Sequence, residues 1–201
     1  MPVPVLGRAF VYTRKRMEWI LASASPRRKQ LLKEVLPAFS VIPATGEERA
    51  LKNCTPTALV QLLATQKAEE VALLSVAKGK GVIGADTVVA FNGEVLGKPK
   101  DEKDAVRMLS ALSGNRHSVH TGICLILPNG KKMVDCVTTE VVFMPLSQAQ
   151  ILAYVKTGSP MDKAGAYGIQ DGGLVESIEG SFSNVVGLPV ERLKEMIKSL
   201  N

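Results

Sequence analysis

VIGADTVVAFNGEVLG, residues 82–97, reads as two strands and the turn between them. Apolar residues dominate 82–91, and Asn92-Gly93 is a strong two-residue hairpin signal, because both turn residues must take positive φ. A single carboxylate, Asp86, interrupts the run. Strand and helix patterns alternate outward from this stretch. Upstream, 19–22 is a short buried strand, and 26–36 is a helix with Leu31, Leu32, Val35 and Leu36 on one side, ended by Pro37. Residues 39–42 follow as a second strand. Thr55-Pro56 then opens a helix over 56–77, with Leu59, Leu62, Leu63, Ala68 and Val71 facing inward. Downstream, Asp101 caps a helix that buries Ala105, Met108, Leu109 and Leu112 and stops at Gly114. Residues 119–127 and 133–143 form a second hairpin across Pro128-Asn129-Gly130, and 147–156 and 190–200 are helices. The alternation implies an α/β fold with a mixed sheet.

With 201 residues, 46% of them hydrophobic, the chain can bury the core of an ordinary domain, which excludes wholesale disorder. No apolar run nears the ~18 residues that cross a bilayer, so a soluble protein without a membrane partner is expected. Cys54, Cys124 and Cys136 are an odd number without CxxC spacing, which points to a reducing, cytoplasmic setting rather than a disulfide framework. His117 and His120 are too few for a Cys/His zinc site. The formal charge is +6, but Arg8, Arg14, Lys15 and Arg16 supply four of the basic residues. Residues 17–201 keep 21 basic residues against 19 acidic ones, so a nucleic-acid-binding face is not required. Residues 1–16 hold no acid, no secretory apolar stretch and one Ser/Thr, Thr13. We read them as an extension, either non-native or a dispensable arm, with Met17 as the natural start. A short organelle address is the alternative.

Four clusters interrupt the core-building pattern. Ser23-Ala24-Ser25-Pro26-Arg27-Arg28 stands where a strand gives way to a helix, so hydroxyls, guanidiniums and free N–H groups converge there as a cradle for phosphate. The competing reading is a serine cap, a proline at the first helical position and solvated arginines. Asp86, within Gly84-Ala85-Asp86-Thr87-Val88-Val89, must be paired with an Arg or Lys or must bind a cation, because a buried lone carboxylate is costly. With Glu47 or Glu48 it could hold a hard cation such as Mg²⁺. Lys98, between Gly97 and Pro99, can be aimed into a cleft, and Lys67 is a second such lysine; both could equally be surface residues. Residues 161–170, MDKAGAYGIQ, bring Asp162, Lys163 and Gln170 together, with glycines at 165 and 168 where backbone could approach a ligand. A Gln side chain both donates and accepts, as reading a base edge requires. The plainer reading is a tight turn with a surface Asp–Lys pair.

LASASPRR (21–28), GADTVV (84–89), GKPKDEKDAVRMLSALSGNRHSVHTG (97–122), PMDKAGAYGIQ (160–170) and SNVVGLP (183–189) resemble, in order and spacing, the Maf family of nucleoside triphosphate pyrophosphatases. The resemblance spans 19 to about 197. It implies a fold shared with the inosine triphosphate pyrophosphatases: a long mixed sheet and two lobes flanking a substrate cleft, with 17–201 as one two-lobed catalytic domain. It also implies a divalent metal, Mg²⁺ first and Mn²⁺ or Co²⁺ as substitutes, and a homodimer. Three positions separate a dTTP/UTP branch (Arg, Thr, Gln) from a 7-methyl-GTP branch (Trp, Gln, Glu). Here they are Arg27, Thr87 and Gln170, which match the dTTP/UTP branch. The chain departs from the family pattern at Ser159 (usually Glu), Asp171 (usually Gly) and Phe182 (usually Tyr).

The resulting expectation is hydrolysis of dTTP and UTP, with modified pyrimidine nucleotides as further substrates, to the monophosphate and pyrophosphate. Asp86 would be the general base and, with Glu47, a metal ligand. Ser23, Arg28, Lys67, Lys98 and Lys163 would bind phosphate, and Arg27, Thr87 and Gln170 would read the base. Such an activity would serve nucleotide house-cleaning or restrain septum formation. The competing expectations are a 7-methyl-GTP pyrophosphatase, a phosphatase releasing orthophosphate, and a non-enzymatic regulator that binds nucleic acid or a division partner.

Overall fold

The computed structural model describes residues 17–46 and 54–200. The 1–16 extension, Glu47 and Glu48 lie outside them. Seven strands form one sheet: β1 (Trp19–Leu21), β2 (Ser40–Val41), β3 (Gly81–Phe91), β4 (Glu94–Leu96), β5 (Arg116–Ile126), β6 (Lys132–Phe143) and β7 (Val175–Glu179). The order is β2-β1-β3-β5-β6-β7, with β4 also on β3. β1 runs parallel to β2 and β3, and every other pairing is antiparallel, so the sheet is mixed as expected. The helices are α1 (Pro26–Leu32), α2 (Pro56–Ala72), α3 (Glu102–Leu112), α4 (Gln148–Lys156), α5 (Phe182–Val186) and α6 (Val190–Lys198). Among the described residues no helix is long and apolar enough to cross a membrane.

Local chemistry sets most boundaries. Asn92 and Gly93 take φ of 48° and 80°, the turn that joins β3 to β4. Asp101 accepts from Asp104 N–H at 2.8 Å and starts α3, while Ser147 and Gln150 form a reciprocal capping box on α4. Two helices are shorter than their patterns. α1 stops at Leu32, and turns carry the chain on so that Leu36 is still buried. α2 stops at Ala72, ahead of a separate 3₁₀ turn at Ser75–Ala77.

The inner face of α2 also differs from expectation. Val60 and Ala64 are buried beside Leu63, Ala68 and Val71, whereas Leu59 and Leu62 are half-buried. The reason is proximity to the sheet. A Cβ at Gly84 would lie 2.1 Å from the Ala64 carbonyl, and one at Gly122 would lie 2.2 Å from the Val60 carbonyl. The helix therefore presents Val60 and Ala64 to the sheet at these two glycines, and Leu59 and Leu62 turn aside.

β3 and β5 are long enough to serve two cores on one face. Ile83, Ala85, Ile123 and Leu125 pack with Leu31 and Leu32 of α1 and with Leu193 and Met196 of α6. Further along the same strands, Val89 and Val119 pack with α3 and α4. On the opposite face Val82, Cys124 and Ile126 pack under α2. One feature of the pairing sets up the site. β5 flanks β3 from Val82 to Ala90, but on the other edge β1 covers only 81–83 and β4 only 89–91. Among the described residues no strand stands beside 84–88 there, which leaves a notch in the sheet.

Candidate active site

The notch opens into a cavity of about 690 Å³, a size suited to a small-molecule ligand. Its walls come mainly from six places: the β1–α1 turn, the exposed edge of β3, the end of β4 with Gly97-Lys98, the Leu59–Lys67 side of α2, the 162–170 segment and residues 185–187. Nine residues singled out from the sequence line it together: Ser23, Arg27, Arg28, Lys67, Asp86, Thr87, Lys98, Lys163 and Gln170. The lining carries five cationic side chains, including Lys98 at the rim, against the carboxylates of Asp86 and Asp162. That surplus of positive charge favours a polyanion.

Strand alternation sends Asp86 and Thr87 to opposite faces. Asp86 is buried, and the Lys67 ammonium on α2 donates to its Oδ1. The counter-charge that a buried carboxylate needs is therefore a lysine. Among the described residues no group of three His, Cys, Asp or Glu could hold a metal. Mg²⁺ often needs only one or two carboxylates when phosphate oxygens complete its shell, and Asp86 in the notch fits that use. On α2, one turn from Lys67, Glu70 accepts from the N–H groups of Thr45 and Gly46 at 2.7 and 3.0 Å. These two backbone hydrogen bonds hold its carboxyl below the ordinary range. Glu47 is next in sequence.

On the other face, Arg28 is fixed at three points. Its Nε donates to the Gly187 carbonyl at 2.8 Å, Nη2 to Thr87 Oγ1 at 3.0 Å and Nη1 to Ser23 Oγ at 3.4 Å. Ser25 caps α1 and Pro26 is its first residue, as the plainer reading had it, but neither arginine is merely solvated. The Thr87 hydroxyl has a defined polarity. Thr121 Oγ1 donates its one proton to the Asn184 carbonyl at 3.0 Å, so in the 2.9 Å Thr87–Thr121 pair Thr87 is the donor. With one lone pair taken by Arg28, Thr87 can only accept from a ligand. Thr121 and Asn184 are fully buried, and Asn184 Nδ2 also ties β5 to β6 through Val119 O and Thr139 Oγ1.

The 162–170 wall is braced from several sides. Asp162 receives Arg27 Nη1 at 2.9 Å and Lys163 Nζ at 2.8 Å. Partial burial opposes ionisation of Asp162, but these two cations hold its carboxyl below the ordinary value. Gly165 N–H donates to the Gly97 carbonyl at 3.0 Å, which ties the wall to the Lys98 turn. Both glycines are needed for packing, and Gly168 also lines the cavity. A Cβ at Gly165 would lie 2.7 Å from Val89 Cγ2, and one at Gly168 would lie 2.7 Å from Lys163 Cε. Tyr167, which lines the cavity, meets His117 Nε2 at 2.8 Å, and both rings stack edge-on with Phe143.

The Maf-like protein family matches residues 18–200. The chain belongs to the Maf-like family. It is 49% identical over 180 residues to a dTTP/UTP pyrophosphatase of Lacticaseibacillus casei, covering 89% of this chain and 96% of that one. It is 50% identical over 182 residues to a protein of the same name from Thermococcus gammatolerans, with 88% and 95% covered. The fold is that of the Ham1 protein of Staphylococcus aureus, with a TM-score of 0.54 at 19% identity over 92% of this chain and all of that one.

Within this Maf-like site, several residues escaped sequence reading. Asp162 stood in the 161–170 cluster or, on the plainer reading, in a surface pair; it does bind Lys163, but it also clamps Arg27 from 135 positions away, which no spacing announces. Asn184 sits in the SNVVGLP motif, where an amide inside an apolar run was the available signal. Thr121 gave none, because its partnership with Thr87 depends on the register of β5 on β3. Ser159 and Asp171, two departures from the family pattern, touch each other at 2.7 Å. Glu47, the expected second metal ligand, lies outside the described residues.

Proposed function

We propose that this Maf-like chain hydrolyses dTTP and UTP to the monophosphate and pyrophosphate. One observation carries the reading: nine residues from distant parts of the chain, chosen for that chemistry, line a single cationic cavity. The name shared by relatives at 47–50% identity supports the same substrates. Thr87 supports them independently. Its remaining lone pair suits the imide N–H of uracil and thymine, and not the acceptor nitrogen at the same place in cytosine.

In this reading Arg28, Ser23, Lys98 and Lys163 neutralise the triphosphate, and Arg27, Thr87 and Gln170 face the base. Water attacks the α-phosphorus, Asp86 accepts its proton, and pyrophosphate leaves toward the lysines. Lys67 keeps the Asp86 carboxylate paired before the ligand arrives. A divalent ion such as Mg²⁺, held by Asp86 and Glu47, would neutralise phosphate oxygens and acidify the water. Free thiols at Cys54, Cys124 and Cys136 suit a reducing, cytoplasmic setting.

The test is a panel of dTTP, UTP, CTP, dATP, GTP and 7-methyl-GTP with Mg²⁺, assaying pyrophosphate and orthophosphate separately. Pyrophosphate from dTTP and UTP is expected, with kcat reduced ~100-fold or more in Asp86→Asn. Pyrophosphate mainly from 7-methyl-GTP would overturn the base assignment, and orthophosphate as the first product would overturn the reaction.

A further inference from the structure

Behind the 162–170 wall, Asp171 accepts two hydroxyl protons, from Tyr154 Oη at 2.5 Å and from Ser159 Oγ at 2.7 Å. None of these three residues lines the cavity. Each hydroxyl has given its proton to Asp171 and so accepts elsewhere. Tyr154 accepts the Gly168 N–H at 3.0 Å, and Ser159 accepts Lys163 Nζ at 3.0 Å. Lys163 continues to Asp162 Oδ1, and Arg27 closes the set on Asp162 Oδ2. The direction of every bond is defined. One carboxylate outside the cavity thus terminates a connected network that reaches Lys163 and Arg27 inside it, and Gln170 is its neighbour in sequence.

The anchor is firm. Tyr154 stands on α4, whose Ile151 and Val155 are buried in the second core. We propose that Asp171 is a positioning residue for base recognition: through Tyr154 and Ser159 it holds the 159–171 segment so that Gln170, Lys163 and Arg27 face the ligand together. Partial burial opposes ionisation of Asp171, but the two hydroxyls and the nearby cations outweigh it and keep the carboxyl below its ordinary value. Burial and the Asp171 charge push the Tyr154 phenol up, so that it stays a donor. The inference rests on the pyrophosphatase reading above, and the experiment separates the two.

The full chain would be assayed as wild type, Asp171→Ala, Asp171→Asn, Tyr154→Phe and the Tyr154→Phe/Asp171→Ala pair, on dTTP, UTP and GTP, with Tm for each. Asp171→Ala should raise KM for dTTP and UTP by about tenfold, leave kcat within about twofold, and narrow the preference over GTP. Asp171→Asn, whose amide oxygen can still accept, should restore most of the loss. The double variant should be no worse than Asp171→Ala, because the two side chains act through one bond. KM and base preference unchanged in Asp171→Ala would overturn the proposal. So would a fall in Tm with kcat lost equally on every nucleotide, which marks a structural role alone. Wild type that neither binds nor hydrolyses dTTP would overturn the pyrophosphatase reading itself, and this inference with it.

Discussion

Asp86 was legible as an exception, a carboxylate inside an apolar strand, but the two explanations open to it could not be separated in one dimension. The structure supplies a lysine, Lys67, from a helix that the sequence places 19 residues earlier. His117 is the converse case: a residue the sequence used only to exclude zinc. It is buried against Phe143 and Tyr167, its Nδ1 has no partner among the described residues, and burial pushes it from 6.5 down to about 4. The native histidine stays neutral where the unfolded one takes a proton. Stability from this group is therefore present above pH 6.5 and is lost as pH falls from 6.5 to 4, by about 3 kcal/mol in all. Thermal melts at pH 7 and pH 4.5 check it. In His117→Phe the difference between the two should shrink, even though the unpaired Tyr167 hydroxyl lowers Tm at both. An undiminished difference would assign the acid sensitivity elsewhere.

At the scale of elements, the hairpin turn, the caps of α2 and α3 and the alternation of strand and helix were readable because they depend on neighbours within four residues. The inward face of α2 was legible only in part: Leu63, Ala68 and Val71 are buried as read, whereas Leu59 and Leu62 are not. Periodicity marks the large leucines, whereas contact with the sheet at Gly84 and Gly122 selects Val60 and Ala64. Gly122→Ala should accordingly cost about 3 kcal/mol, since the new methyl meets a backbone carbonyl that cannot move aside. Urea unfolding measures it, and a loss below about 1 kcal/mol would mean that α2 can lift from the sheet. β7 and α5 also went unread. β7 is a largely exposed strand at the end of the sheet, and α5 has only five residues, so neither carries enough apolar pattern to announce itself.

Across the whole molecule, the cavity exists because β3 is longer than either strand on its outer edge, so that two cores share one sheet and leave a gap between β1 and β4. The Arg27–Asp162 pair spans that gap, joining α1 on the first core to the wall on the second. Exposed pairs of this kind contribute little to stability, ~0–1 kcal/mol, so its effect should fall on the ligand. Asp162→Ala should raise KM for dTTP about tenfold, equivalent to ~1.4 kcal/mol, while Tm moves little. Steady-state kinetics with a parallel melt decide it, and an unchanged KM would sever Arg27 from base binding. The sequence by itself determined the fold class, the family and the identity of nine of the residues that gather in the cavity, because side-chain chemistry and local periodicity are properties of short stretches. Which of those residues hold one another was decided only by the tertiary structure. The Lys67–Asp86 pair, the proton direction at Thr87 and the network ending on Asp171 all depend on strand register and on contacts between segments far apart in the chain, and no short stretch encodes them.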